Sequence, residues 1–354
     1  MRPSHSNVAG WLGGGGVKTA TARRAGLAAA VALMLANQPA RADDPFPIPK
    51  QLAPAERFWV DVFTRYSQRD YVIHDRIEPG LVYDVVTTTG AGDEELVTAR
   101  VKAVVDRLAL AGLSGLDMSS PVQAPAMAPA DRVRVQRGMR EVFGAGLTEQ
   151  RRFRHVVERA LEREGLPIEL SVLPLVESSY NPDAVSRAGA TGMWQFTATT
   201  ARRYLRIHGR VDERLDPVRS SHAAARHLRE LREALPSWPL ALTAYNHGIT
   251  GVERARRAIG SDDLGLLVAE YRGPGFGFAS RNFYAEFLAA RHVVQHVANY
   301  FPEQAPNRLI EYRVKRGDTI YALARRHGVT VPNLLALNGR RSKIQPGQVL
   351  LIRL

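Results

Sequence analysis

At 354 residues the chain can hold two or three compact units of about 100–200 residues each. Its 48 Lys and Arg against 35 Asp and Glu give a net charge of +13, carried almost wholly by Arg, and it contains no cysteine. The missing thiols exclude disulfides, thiolate metal centres and a lipid-anchored cysteine, so the fold rests on its cores; charge alone leaves nucleic acid, anionic lipid and acidic polymers open as partners.

The first 42 residues carry no acid, and Arg23-Arg24 precede an apolar run from Ala25 to Ala36 that ends near Ala40-Arg41-Ala42. That order is the pattern of a secretory signal, and the run is too short for the roughly 20 residues of a membrane span. A twin-arginine export signal is a looser alternative reading of the same arginine pair. Removing the segment takes away five cations and leaves +8 on a chain with no transmembrane segment. The expected location is outside the cytoplasm, periplasmic where an outer membrane exists, and not as a lipoprotein. Export argues against nucleic acid as the partner of the basic charge, and no interleaved aromatic and basic stripe of the RNA-binding kind is present.

Phe58, Val62, Phe63 and Tyr66 follow at helical spacing, Tyr71 to Val86 reads as extended or mixed, and Glu94 to Leu110 sets Val97, Val101, Val104, Val105 and Leu108 on one helix face. Pro121, Pro125 and Pro129 among small residues mark a linker over 113–131. Arg132 to Tyr300 then reads as helix after helix: Arg132 to Phe143, Glu149 to Arg163, Ile168 to Glu177, Thr197 to Arg206, Ser220 to Leu235, Leu240 to Asn246, Ile249 to Ile259, Asp263 to Tyr271 and Ser280 to Tyr300. Asp216-Pro217 suits the start of one of them. A second linker, 301–310, holds Pro302 and Pro306, and residues 311–354 follow as a strand, two helices and a strand with room for only a small core.

One acid stands out. Leu170, Leu173 and Val176 form an apolar helical face, and Glu177 sits beside it just before Asn181-Pro182 stops the helix. An exposed carboxylate is the commoner fate of a helix-end Glu. Burial would instead raise its pKa and let it serve as a general acid near neutral pH. The loop Ala188-Gly189-Ala190-Thr191-Gly192 allows close approach of a ligand or backbone. Trp194 and Gln195 then offer an apolar plate and an amide suited to a sugar, although Trp194 could equally be core.

The run ESSYNPDAVSRAGATGMWQF, followed by WPLAL and Ala244-Tyr245-Asn246-His247-Gly248, resembles the motifs of lytic murein transglycosylases with a goose-type lysozyme fold, most closely the membrane-bound lytic transglycosylase D type. The resemblance is strong over 166–246 and looser over 132–300. It implies a mainly α protein: a signal peptide (1–42), a mostly helical N-terminal region (43–112), the linker 113–131, an all-α catalytic domain (132–300), the linker 301–310 and a terminal module (311–354). It implies cleavage of the β-1,4 bond between N-acetylmuramic acid and N-acetylglucosamine in peptidoglycan, leaving a 1,6-anhydromuramoyl end. Glu177 would act first as acid and then as base, with no cofactor. Ser186 would hold the N-acetyl group, Met193 and Gln195 would line the saccharide groove, Tyr245 and Asn246 would flank the acid, and Ser178 would accompany it. The family's third motif is altered to Ala279-Ser280-Arg281-Asn282-Phe283-Tyr284, leaving Tyr284 or Phe283 to close the site.

A lone carboxylate suffices for such chemistry because the sugar's own C6 hydroxyl is the nucleophile, whose effective concentration can reach roughly 10⁵ M or more. Asp183 lies past the helix stop, a poor position for the second acid of a paired mechanism. His292 and His296 stand four apart but lack a third ligand, so no metal is expected. The terminal module resembles a lysin motif (LysM), through Gly317-Asp318-Thr319, Asn338 and Pro346-Gly347, which implies binding to glycan chains containing N-acetylglucosamine. The expected protein is a monomer whose partner is the peptidoglycan strand. The other readings are a non-catalytic peptidoglycan-binding protein and a goose-type muramidase that hydrolyses the same bond with water.

Overall fold

A computed structural model describes residues 44–89, 93–114, 127–304, 309–327, 329–339 and 342–353. The expected signal segment and the stretch 115–126 of the first linker lie outside the described residues. The protein is mainly α, as expected, with small antiparallel sheets.

Helix α1 (Ala53–Thr64) begins with Pro54 in its first turn, where the missing N–H costs nothing, and buries Phe58, Trp59, Val62 and Phe63. The strands β1 (Asp70–Asp75) and β2 (Val82–Thr87) pair antiparallel. The long helix α2 (Asp93–Ser114) carries the valine stripe expected of it: Val97, Val101, Val104 and Leu108 pack with Ile73 and Val86 of the sheet.

After the single turn α3 (Pro129–Arg132), residues expected to begin a helix form strand β3 (Val133–Arg137), which joins β1 to give the order β2-β1-β3. Val133 and Val135 alternate with polar residues and cover the same cluster as the α2 stripe, so period-two burial wins over helical propensity. Gly138 ends the strand where a Cβ would stand 2.2 Å from the carbonyl of Ser67. Only then does helix α4 (Arg140–Arg163) start, and it runs unbroken through the two helices expected there.

A 3-10 turn (Ile168–Val172) leads into α5 (Leu173–Ser178). Beyond a compact loop comes α6 (Ala198–Ala201), shorter than expected, because the chain turns into a small hairpin of β4 (Ile207–His208) and β5 (Val211–Asp212). Helix α7 (Pro217–Ala234) is capped as expected, Asp216 accepting from the amides of Val218 and Arg219. Helices α8 (Trp238–His247), α9 (Ile249–Ile259), α10 (Leu264–Glu270), α11 (Phe278–Gln295) and α12 (Val297–Tyr300) complete the bundle. α7 packs on α4 and α8, while α11 packs against α1, α5 and α8. α11 is therefore buried on several sides, Ser280, Arg281 and Asn282 included. Phe301, in the second expected linker, is buried and stacks on Phe143 at 6.0 Å.

The C-terminal residues form β6 (Leu309–Arg313), α13 (Ile320–Arg326), α14 (Val331–Leu337) and β7 (Val349–Arg353), the two strands antiparallel. Its small core gathers Val314, Leu323, Leu334, Leu350 and Ile352.

Candidate active site

Helix α5 is short because Ser179 and Tyr180 both adopt left-handed backbone conformations, at φ 54° and 62°. Their amides close the helix on the carbonyls of Leu175 and Pro174. Two consecutive non-glycine residues in that region are strained, and such strain persists where the surroundings over-determine it. Here the fully buried Tyr180 anchors it, its hydroxyl donating to the carbonyl of Ser171. The consequence is a chain that turns sharply just after Glu177 and leaves that side chain at the helix end, half-buried. Desolvation, and then the charge of Glu286, push the Glu177 carboxyl up to about 8. At neutral pH it holds its proton.

The loop that follows packs back onto this helix end. Ser178 donates its hydroxyl to the carbonyl of Met193 at 2.8 Å, which ties the residue after the acid to the loop. Thr191 bridges to both Val185 and Phe196, folding the segment into a tight double turn. Gly192, at φ 80°, lies where a Cβ would meet the carbonyl of Arg214 at 2.0 Å. Arg214 braces the turn from outside, donating to the carbonyls of Gly189 and Phe196 while paired with Asp212 at 2.6 Å.

The individual loop residues divide. Ser186 is half-buried; its Oγ accepts from the Ala190 amide at 3.0 Å, which leaves its O–H free to donate outward. Gln195, at φ 48°, turns its amide nitrogen to the carbonyls of Gly192 and Ala184. Met193 has no exposed surface, and Trp194 is 1% exposed with its Nε1 donating to Ser221 Oγ at 3.0 Å. Trp194 is therefore core rather than a sugar plate.

Helix α8 supplies the other side. The Tyr245 hydroxyl donates to the carbonyl of Trp194 at 2.8 Å. Its pKa is raised well above the ordinary phenol value, by burial first and by the charge of Glu177 second. Asn246 is exposed one residue on, and Ser280 of α11 donates toward its Oδ1 at 3.4 Å. Phe283 and Tyr284 are both buried, Tyr284 stacked on Phe287 at 6.1 Å, so neither presents an open ring to a ligand in this structure.

The altered third motif instead delivers a residue that the sequence reading stops short of. Glu286, two positions beyond it, is half-buried on α11, and its charge acts on Glu177. Burial pushes Glu286 upward as well, against the lowering effect of Arg134. Arg134 itself comes from β3, its guanidinium 4.1 Å from the Phe278 ring centre. A lone acid inside the apolar run NFYAEFLAA was the available signal for Glu286; nothing in the sequence pointed to Arg134, because its place depends on the strand pairing. His292 and His296 lie further along α11, engaged with the Tyr300 hydroxyl and with the main chain.

In the terminal module the motif residues hold turns. Asp318 accepts from the Lys315 amide and the Tyr312 hydroxyl, Thr319 caps α13 through the Ala322 amide, and Gly317 and Gly347 take φ of 89° and 90°. Asn338 bonds both the amide and the carbonyl of Leu351, fixing α14 to the edge of β7. Pro346 precedes Gly347 in the turn that enters β7, where the Gly347 amide donates to the carbonyl of Val314 at 2.8 Å.

The family model for the transglycosylase SLT domain matches residues 156–263, and that for the LysM domain matches 312–353. The membrane-bound lytic murein transglycosylase D of Escherichia coli is 37% identical over 97 residues, 27% of this chain and 22% of that protein. A membrane-bound lytic murein transglycosylase F 1 of Alkalilimnicola ehrlichii is 37% identical over 115 residues, 30% of this chain and 22% of that protein. The matched part thus spans about a fifth of either relative. Among solved structures, the 70 kDa soluble lytic transglycosylase of Escherichia coli aligns with a TM-score of 0.35 and 20% identity over 44% of this chain and 26% of that one. Residues 156–263 belong to the transglycosylase SLT domain family and residues 312–353 to the LysM domain family.

Proposed function

We propose that the protein is an exported peptidoglycan lytic transglycosylase, cleaving between N-acetylmuramic acid and N-acetylglucosamine with formation of 1,6-anhydromuramoyl ends. The observation that carries this reading is a Glu177 carboxyl kept protonated near neutrality at the end of a strained helix, within an SLT domain. Glu177 gives its proton to the glycosidic oxygen as the bond to C1 breaks. The resulting carboxylate then takes the proton from the C6 hydroxyl as that oxygen bonds to C1. Bonds and protons balance without water, and Glu177 ends protonated as it began.

Ser186 has the free O–H to hold the acetamido carbonyl and so keep the muramoyl ring oriented for attack. The amide of Gln195 and the backbone around Met193 form the floor of that subsite, Ser178 fixing the floor to the acid's helix. Tyr245 and Asn246 form the opposite wall. Tyr284 supports that wall from within α11. Residues 312–353 hold the enzyme on the glycan, raising the local concentration of cleavable bonds.

Glu286 supports a second reading, hydrolysis, since once ionised a second carboxyl acting on Glu177 could deprotonate water. Digestion of purified sacculi separates the readings. Transglycosylation gives muropeptides lighter by one water than hydrolytic products, and Glu177→Gln loses them. Reducing ends would support hydrolysis, and no release would leave a wall-binding protein.

A further inference from the structure

A cavity of about 850 Å³ opens between α1, the turn joining β1 to β2, the segment after α10 and the start of α11. Arg57 and Asp61 of α1, Glu78 of the turn, Arg272 and Arg281 lie among its walls. Neither Glu177 nor Glu286 does, so the cleavage chemistry leaves this space unused.

Arg281 is the unusual member. It is 8% exposed, yet its guanidinium has a single hydrogen bond, to the carbonyl of Tyr271 at 3.4 Å, and no ion pair among the described residues. A guanidinium carries five donors, and an arginine buried this far is ordinarily paired with an acid. Burial first, and then the charges of Arg272 and Arg76, lower its pKa to about 10. It remains a cation at neutral pH, facing cations. The acids on the cavity wall do not offset it: Asp61 pairs with Arg65 at 3.8 Å, and Glu78 is exposed.

The wall is preset. Asp75, fully buried, accepts from the amides of Ile77 and Glu78, from the Tyr83 hydroxyl and from Arg132, which fixes the turn beside the cavity. Asn282 is satisfied by Trp59 and the carbonyl of Phe278, so the unmet donors belong to the arginine.

We propose that this cavity binds the free carboxylate of a short peptide, of the class carried as stems on peptidoglycan, with Arg281 as its buried anchor and Arg272 at its mouth. The planar fork of a guanidinium matches a carboxylate through two parallel hydrogen bonds. The volume is that of a ligand site rather than of a single ion. Leu52, Phe58, Ile77 and Pro79 line it with apolar surface for peptide side chains, and Asp61 and Glu78 can receive an ammonium group. The identity of the ligand rests on the peptidoglycan reading above, whereas the anion site rests on the cavity itself.

The test is calorimetric titration of the mature chain with a glycan-free stem peptide, with the same peptide after amidation of its carboxylates, and with inorganic phosphate. The acid form binds, amidation weakens it at least about tenfold, and Arg281→Gln and Arg272→Gln each weaken it at least about tenfold. Arg272 is exposed, so its variant retains the wild-type unfolding midpoint and keeps the result readable should Arg281→Gln fail to fold. Equal binding of acid and amide, or unchanged binding in Arg272→Gln, overturns the proposal. Phosphate binding as tightly as the peptide overturns the peptide assignment. Because no glycan is present, a negative titration alongside anhydro products from sacculi sinks this site alone, and absence of those products sinks the cleavage reading alone.

Discussion

Glu177 and Glu286 come from helices 109 positions apart in sequence, and after burial itself the charge of Glu286 is what makes Glu177 harder to ionise. A buried carboxyl keeps its proton to higher pH, which is what the proposed first proton transfer to the glycosidic oxygen requires. Activity that needs protonated Glu177 is present below its raised pKa and falls as pH climbs through about 8. Glu286→Gln removes the second cause of that rise, so the alkaline limb of kcat/KM moves toward lower pH; an unmoved limb would show that Glu286 does not act on the acid. Ser178→Ala removes the bond to Met193 and is expected to cost about 1 kcal/mol in stability by denaturant unfolding. At this scale the half-buried, raised carboxyl of Glu177 was legible, because an apolar helical face with one carboxylate at its end is a local pattern. The burial of Trp194 was not, since it depends on Ser221 of α7. Glu286 was missed because it lies just past a motif already altered.

Elements in this fold are decided by what covers them. The helical tract after Arg132 was read from periodicity, yet Val133–Arg137 became a strand because α2 and β1 offered an apolar surface with a period of two. α7 and α9 began and ended close to expectation because their signals, an Asp-Pro start and a following Gly, are local. The loop after α5 depends on contact with a distant carbonyl: Gly192→Ala forces a Cβ against Arg214 at positive φ and should destabilise by about 3 kcal/mol, measured as a lower unfolding midpoint with loss of activity. In α1, Glu56 is 2% exposed, its Oε1 has no hydrogen-bond partner among the described residues, and burial pushes its pKa from 4.5 to about 7. The protonated form is the one the fold tolerates. Its contribution is full below pH 4.5 and is lost as pH rises through about 7. Glu56→Gln should therefore gain on wild type by about 2–3 kcal/mol between pH 4.5 and 8. An equal difference at both pH values would contradict the buried-carboxyl account.

Across the whole chain, α11 links the parts: it packs on α1 from the N-terminal region, on α5 behind Glu177 and on α8 beside it, and it carries Glu286 and Arg281. The mainly α class and the βααβ module were legible from periodicity and turn residues, whereas the action of Glu286 on Glu177 and of Arg134 on Glu286 was not, being set by tertiary packing. The module's motif residues fix its turns and strand edge, so its core is its own. Deleting Glu311 to Leu354 should weaken sacculus binding and leave cleavage of soluble glycan largely intact; equal loss of both would contradict that division. The central claim is that the sugar's own hydroxyl, not water, completes the reaction, even with a second carboxyl present. Digestion of glycan in water enriched in heavy oxygen tests it directly. Every new muramoyl end should then be 1,6-anhydro and carry no label, and label at the anomeric carbon would contradict attack by the sugar's own hydroxyl.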